Sequence, residues 1–416
     1  MRRDADIVVA GASTAGLLTA ALLAESGRRV ILVDQNKQVD PAHRSLIVTS
    51  RLQDVLGDCG QNAITARVDR FELTAGDHSI TVSLQEPDFV IERRELINLL
   101  AHRARAAGVE LRMGQRIAGM RPFDSGVRVN VDGAGERLEL RAPVVIGADG
   151  ASSEVASAAG WPRLPTLPLV QALVPAPSDV GSTTSQVWFR PQDSPYFYWL
   201  IPETNSRAAI GFIGERGHEA RRCLDSFLVE RGLDALAYQA ARIPLYLGWT
   251  RNERRFGGGR VFLVGDAAGH VKVSTVGGVV TGFRGALGVV ERILGRGPSS
   301  HLRILRRELN AHLLVRKAIH HFDVSQYERL LRAIDGPASH RLGRHTRDEA
   351  VKVLWQFARA RPRLLAPALT GLLLAGSIAP SSKNGTKVSQ TLSREVHLAH
   401  QSQGSSSLVQ QESANY

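Results

Sequence analysis

The feature that most constrains this chain is a short apolar strand that runs directly into a glycine-rich turn. Residues Asp6 to Ala10 (DIVVA) read as a buried strand. Gly11-Ala12-Ser13-Thr14-Ala15-Gly16 follows, then a helical segment to about Ser26, then Gly27 and a second strand from Val30 to Val33 that ends in Asp34. Gly11 permits the tight strand-to-helix turn, and Gly16 lets the helix pack close to the strand. The helix N-terminus, with roughly half a positive charge, is suited to a pyrophosphate. Asp34 stands at the end of the second strand, where a carboxylate accepts the hydroxyls of an adenosine ribose. Small residues recur where helix and strands crowd, at Gly16, Ala20 and Gly27. Ser13 departs from the dinucleotide fingerprint, which has its second glycine there. Its Cβ crowds the phosphates, while its hydroxyl is able to donate to them.

Two later stretches extend this unit. From Val109 to Val145 short alternating strands with Gly and Asp turns form a β-meander, which closes on Val144-Val145-Ile146-Gly147-Ala148-Asp149-Gly150. Arg260-Val261-Phe262-Leu263-Val264-Gly265-Asp266 is another buried strand ending in an acid, and Gly277-Gly278-Val279 opens a helix to about Leu294. A nicotinamide dehydrogenase needs no such additional strand-acid elements, whereas a long flavin lying across the sheet does. FAD is therefore the expected cofactor. Asp34 serves its adenosine, Asp266 its ribityl hydroxyls, and the backbone N–H groups at Gly278 and Val279 the electron-rich edge of its reduced ring.

These motifs resemble, as a set over about residues 1–330, the geranylgeranyl reductase and aromatic-ring hydroxylase superfamily of flavoproteins. GADGASSEV is similar to that family's GADGxxSxVR, with Ala156 in place of Arg. VGDAAGHVKVSTVGGVVTG is similar to the reductases' GDAAGxVKPTTGGGI, with Val273 in place of Pro and Val276 in place of Gly. IERRELINLLAHRARAA, Ile91 to Ala107, resembles the family's R-x-x-L helix. The resemblance implies flavin contacts at Arg93, Ala15, Ile117 and Asp149 beside Gly11, Ser13, Gly16, Asp34, Asp266, Gly278 and Val279.

The fold expected is α/β: an FAD-binding Rossmann-like domain with a β-meander, an antiparallel-sheet substrate domain and a helical C-terminal region. The boundaries read as 1–160 and 251–300 for the two parts of the flavin domain, 161–250 for the substrate domain, 301–380 for the helical region and 381–416 for a disordered Ser/Gln/Asn-rich tail. Within the substrate domain, Phe197-Tyr198-Trp199-Leu200-Ile201-Pro202 resembles the reductases' YxWxFP. Strand alternation puts Phe197, Trp199 and Ile201 on one face. They are either an aromatic wall of a substrate pocket or ordinary core. Halogenases carry a related WxWxIP, but the early region where they keep a catalytic lysine holds only Lys37, in a loop.

Composition narrows the partners. The net charge is +12, yet only six of the 52 basic residues are Lys and none forms a run interleaved with aromatics, so nucleic-acid binding is not expected. Cys59 and Cys223 make neither a disulfide framework nor a zinc site, and no histidine pair has ligand spacing, so no metal is expected. The buried-strand pattern starts by Ile7 and leaves no room for a signal peptide, which points to the cytoplasm. Leu364 to Ala379 is apolar but too short, and interrupted by Pro367 and Gly371, to span a bilayer. It reads as a core-covering helix or, with residues 351–379 as a whole, as a peripheral membrane contact.

The leading functional reading is an FAD-dependent reductase of C=C bonds in a large apolar, isoprenoid-like substrate. Chemistry is assigned to the flavin, and no catalytic acid is identified. NAD(P)H or an external reductase supplies electrons, since no second Rossmann fingerprint is present. The reductases' Cys-Gly motif is absent from Ala42-His43-Arg44-Ser45-Leu46. That favours a rival, a monooxygenase acting on a terpenoid, polyketide or aromatic compound. A flavin-free prenyl-lipid carrier is a third reading, against which the intact Asp34 and Asp266 argue.

Overall fold

The computed structural model describes residues 4–39, 42–133, 135–349 and 351–352, without the side chains of 58 and 59. The expected apolar segment 364–379 and tail 381–416 lie outside the described residues, as does nearly all of 351–379. The first half of the chain forms β1 (Ile7–Ala10), α1 (Thr14–Glu25), β2 (Val30–Asp34), β3 (Ser45–Val48), α2 (Leu52–Leu56), β4 (Ile64–Ala75), β5 (His78–Glu92), α3 (Arg93–Ala106), β6 (Glu110–Met113), β7 (Gln115–Phe123), β8 (Gly126–Gly133), β9 (Glu136–Ala142), β10 (Val144–Gly147) and α4 (Glu154–Ala158). The remainder forms β11 (Thr166–Pro175), β12 (Thr184–Phe189), β13 (Tyr198–Thr204), β14 (Arg207–Ile213), α5 (Gly217–Glu230), β15 (Ala237–Pro244), β16 (Glu253–Phe256), β17 (Gly259–Leu263), α6 (Val279–Ile293), α7 (Ser300–Ile319), α8 (Val324–Ile334) and α9 (Pro337–Gly343).

The first sheet has the order β16-β17-β10-β1-β2-β6 and is parallel except for the edge strand β16. Its central strands are apolar on both sides because both faces are covered. On one face α1 lies against α3 and α6. On the other, the three-stranded meander β7-β8-β9 packs through Val127, Val129 and Val131. Helix α1 is buried from Ala15 to Ala21 and again at Leu23, so its sequence shows little amphipathic stripe: it is a core helix.

The second sheet has the order β15-β11-β14-β13-β12-β4-β5-β3. Five strands come from 166–244, and three come from 45–92, a stretch the sequence boundaries leave with the flavin domain. β4 joins through a parallel pairing with β12, Thr184 opposite Arg70, in an otherwise antiparallel sheet. One face of this sheet is covered by α5, against which Tyr198, Leu200 and Phe212 pack. The other face carries Trp199, Ile201 and Ile213 and turns toward α7 and α8. Tyr198 stacks between Phe212 and Phe227, at centroid distances of 4.3 and 4.2 Å.

A dinucleotide groove opening into an apolar cavity

The turn after β1 is built as the glycines require. Gly11 has φ +101°, and a Cβ there would lie 2.5 Å from the Ala148 carbonyl oxygen of the neighbouring strand end. Ser13 is the N-cap of α1: its Oγ accepts from the Gly16 N–H at 3.2 Å. The serine in the glycine position therefore closes the helix start, while its own hydroxyl proton stays available to the groove it lines. Asp34 accepts from the Ala12 N–H at 2.6 Å and from the Asn36 backbone and side-chain nitrogens at 2.8 Å each. It thus ties the glycine turn to the end of β2 and still faces the groove, where an ionised carboxylate has lone pairs to spare.

A groove runs from Asp34 and Ile117 past Gly11 and Ser13 to Arg93, Asp149 and Gly150. Asp149 is committed within its own turn. Its oxygens accept from Ser153 Oγ at 2.5 Å and from the N–H groups of Glu154 and Val155 at 2.8 and 3.1 Å, capping α4. It shapes the groove wall more than it reaches into it.

Ser13, Arg93, Ala148 and Gly150 also line a second, larger space, so groove and cavity are continuous. At the junction stand Arg44, Arg93 and Asp266. The Asp266 carboxylate faces the cavity and meets no hydrogen-bond donor among the described residues. It is open to the cavity yet surrounded by protein, and that desolvation raises its carboxyl, against the pull of Arg44 and Arg93. Burial and the neighbouring Arg93 push the Arg44 guanidinium down to about 10, still a cation at neutral pH. Arg44 Nε is buried without a partner among the described residues. A junction with two guanidiniums, an orphaned N–H and a carboxylate lacking donors matches a ligand that carries a diphosphate and hydroxyls. Beyond it, Gly278 caps α6, and it and Val279 line the cavity. Ala15 lines it from α1.

The cavity holds about 640 Å³. Phe71, Leu73, Phe197, Trp199, Ile201 and Ile213 give it apolar walls from the second sheet, and Val315 and Ile319 of α7 close it. Trp199 lies flat across Gly211, where a Cβ would come within 1.9 Å of the indole. Its Nε1–H reaches Gln171 Oε1 at 3.4 Å.

Polar groups sit at the two ends of β3. At Ser45 the hydroxyl donates to the buried Glu203. Past the other end, Thr49 donates to Asp348, which also pairs with the buried Lys272. Burial alone would raise the Asp348 carboxyl; the Lys272 ammonium and the bonds from Lys272 and Thr49 outweigh it and hold the group below the usual carboxylate range. Asp348 belongs to a strap after α9, whose His345, Thr346 and Arg347 line the cavity. Arg347 bonds Asp88 at 2.5 Å, and Arg51 bonds Glu349 at 2.7 Å. The sequence reading assigns no role to Lys272, Arg347 or Asp348. Lys272 lies within the segment VGDAAGHVKVSTVGGVVTG, whereas nothing local marks Asp348.

The loop from Lys272 to Gly277 is tight. Val276 N–H bonds Lys272 O at 2.7 Å and Lys272 N–H bonds Gly277 O at 3.1 Å. Val276 has φ +54°, the only positive φ outside glycine among the described residues. No cluster of three or more metal-ligating side chains occurs among the described residues, and none of their helices is long and apolar enough to cross a membrane.

A parallel sheet with a glycine turn, an acid at the end of the second strand and a groove that continues into an apolar chamber is the arrangement of a dinucleotide-binding protein. The chain belongs to the FAD binding domain family, whose profile matches residues 4–293. It is 30% identical over 295 residues to digeranylgeranylglycerophospholipid reductase 1 of Methanopyrus kandleri, covering 66% of this chain and 76% of that one. It is 28% identical over 314 residues to aklavinone 12-hydroxylase RdmE of Streptomyces purpurascens, covering 64% and 57%. Its fold matches the crystal structure of a geranylgeranyl bacteriochlorophyll reductase-like protein from Thermoplasma acidophilum with a TM-score of 0.73 at 17% identity, over 88% of this chain and 99% of that one. The chain is an FAD-dependent oxidoreductase.

Proposed function

We propose that the chain is a flavin-dependent reductase that saturates C=C bonds of a large apolar, isoprenoid-like substrate. The observation that carries this reading is the cavity: about 640 Å³, walled by aromatic and aliphatic side chains, and continuous with the dinucleotide groove. The reductase relatives support the substrate class. In this reading Asp34 holds the adenosine ribose, Ser13 with Arg44 and Arg93 the diphosphate, and Asp266 the ribityl hydroxyls. Gly278 and Val279 offer N–H groups to the ring. Bound FAD supplies the hydride. The protein excludes water with Phe197, Trp199 and Ile201 and holds the substrate against the ring. Electrons come from NAD(P)H docking transiently or from a separate reductase.

A second reading, monooxygenation, has two observations in its favour: the hydroxylase relative, and Ser45 with no cysteine in the segment Ala42 to Leu46. Turnover of purified holoenzyme with a panel of polyprenyl and polycyclic compounds, run with and without air, separates the two. The reductase reading expects anaerobic product formation with consumption of reductant. Oxygen uptake stoichiometric with substrate would overturn it.

A further inference from the structure

The cavity's polar corner on the loop before α6 is more specific than a general apolar chamber requires. Ser274 lines the cavity, and its Oγ lies 2.6 Å from Nδ1 of His312 on α7. His312 is 2% exposed, and its Nε2 has no partner among the described residues. Burial, with Lys272 nearby, pushes the imidazole down to about 3, so the ring is neutral at physiological pH and carries a single N–H.

Two tautomers are available. With the proton on Nε2, a buried donor is orphaned and the Ser274 hydroxyl is consumed in donating to Nδ1. With the proton on Nδ1, the ring donates to Ser274 Oγ and only an acceptor is left bare. Orphaned buried N–H donors are the rarer case in proteins, which favours the second arrangement. In it the Ser274 O–H is released from His312 and is free to donate into the cavity that the residue lines. Thr275 lines the same wall, and its Oγ1 is buried without a partner among the described residues. The ammonium of Lys272 is already taken by Asp348.

We propose that Ser274, oriented by His312 and flanked by Thr275, is an oxygen-recognition corner, and that the substrate carries a carbonyl oxygen at the end that meets this loop. This rests on the reductase reading and narrows its substrate to an apolar enone. Hydride arriving at the β-carbon of such a substrate forms a C–H bond there. The C=C electron pair moves to the bond between the α-carbon and the carbonyl carbon, and the carbonyl π pair moves to oxygen, where the Ser274 O–H meets the charge. Protonation at the α-carbon once the enolate is released to solvent restores the carbonyl. An isolated alkene offers no such electron sink.

The test is binding to oxidised holoenzyme, followed by perturbation of the flavin spectrum. The probes are pseudoionone, an acyclic terpenoid enone, and the hydrocarbon with a methylene in place of its carbonyl. One neutral hydrogen bond predicts that Ser274→Ala lowers the ketone-to-hydrocarbon affinity ratio about three- to tenfold. Hydrocarbon affinity and melting temperature should be unchanged. Ser274→Thr should keep the wild-type ratio, and His312→Gln should lower it. A ratio unmoved by Ser274→Ala overturns the corner and leaves the apolar cavity standing. Failure of both probes to bind wild-type holoenzyme overturns the cavity reading, and the corner with it.

Discussion

The groove and the cavity meet at Arg93 and are built by opposite means. The groove is made of main chain: a glycine turn, two strand ends and two helix N-termini, with Asp34 and Ser13 bonded to backbone N–H groups a few ångströms away. The cavity is made of side chains from β3, β4, β5, the sheet of β11 to β15, α7 and the strap after α9. Its closure depends on polar contacts between residues far apart in sequence, such as the hydrogen bond from Thr49 to Asp348, 299 residues apart. Backbone-built sites tolerate substitution around them, and side-chain-built sites do not. The comparison therefore predicts that stability is concentrated at the cavity and cofactor affinity at the groove.

Breaking the buried Lys272–Asp348 pair gives the largest expected effect. Lys272→Met leaves Asp348 buried beside Thr49 without its cation and should destabilise the fold by about 3–5 kcal/mol, read by denaturant melts. The same pair sets an acid limit. Asp348 titrates below its unfolded value of about 3.9, so its contribution is complete above that pH and is lost as pH falls below it. In wild type this adds to acid destabilisation; in Lys272→Met that part of the acid sensitivity should shrink.

Next comes Trp199→Ala. A fully enclosed indole costs about 3–5 kcal/mol on truncation. Trp199 already faces a cavity on one side, so the loss should fall below that range, with flavin occupancy retained and substrate affinity reduced. A variant with wild-type kinetics on its substrate removes Trp199 from the pocket.

Asp34→Ala follows. Charge-assisted hydrogen bonds contribute about 1.5–3 kcal/mol each, so FAD affinity should drop at least about tenfold, and the apoprotein should melt lower because the turn loses its bonds to Asp34. An unchanged FAD dissociation constant breaks the ribose assignment.

The smallest effect is expected at Ser13→Gly. Glycine at an N-cap costs only a few tenths of a kcal/mol, and losing a hydroxyl donor to phosphate costs about 1 kcal/mol. FAD titration of both apoproteins should show weaker binding in the variant. Tighter binding would mean that the Ser13 Cβ obstructs the phosphates.

The same division explains what could be read from the sequence. Gly11, Asp34, Asp266 and Gly278 were legible because a backbone that must turn, cap or approach closely accepts few residue types at fixed spacing. The inward face of Phe197, Trp199 and Ile201 follows from two-residue alternation. Asp149 was legible as a motif but not in what it bonds, because a capping acid and a ligand-binding acid look alike in a string. That the strands of residues 45–92 pair in the second sheet could not be read from the sequence, because their partner β12 lies more than a hundred residues downstream and a parallel seam leaves no hairpin turn to announce it. Lys272–Asp348 and Ser274–His312 had no local signature: each pairs a loop residue with a helix or strap that only tertiary packing brings near.

The seam between β4 and β12 also bears on how the chain is made. A ribosome adds roughly 5–20 residues per second, so for several seconds β4 has emerged while Thr184 to Phe189 has not. During that interval the long β4–β5 hairpin offers an unpaired edge, a template for association with another chain. The exposed charges at Asp69 and Arg70 lie on that edge, where they oppose such pairing. Nascent chains stalled before Thr184 should be cut readily by protease across 45–92, and chains stalled beyond Ile213 should be protected there. Synthesis must proceed past Asp348, about 160 residues beyond that seam, before the strap can close the cavity on Thr49.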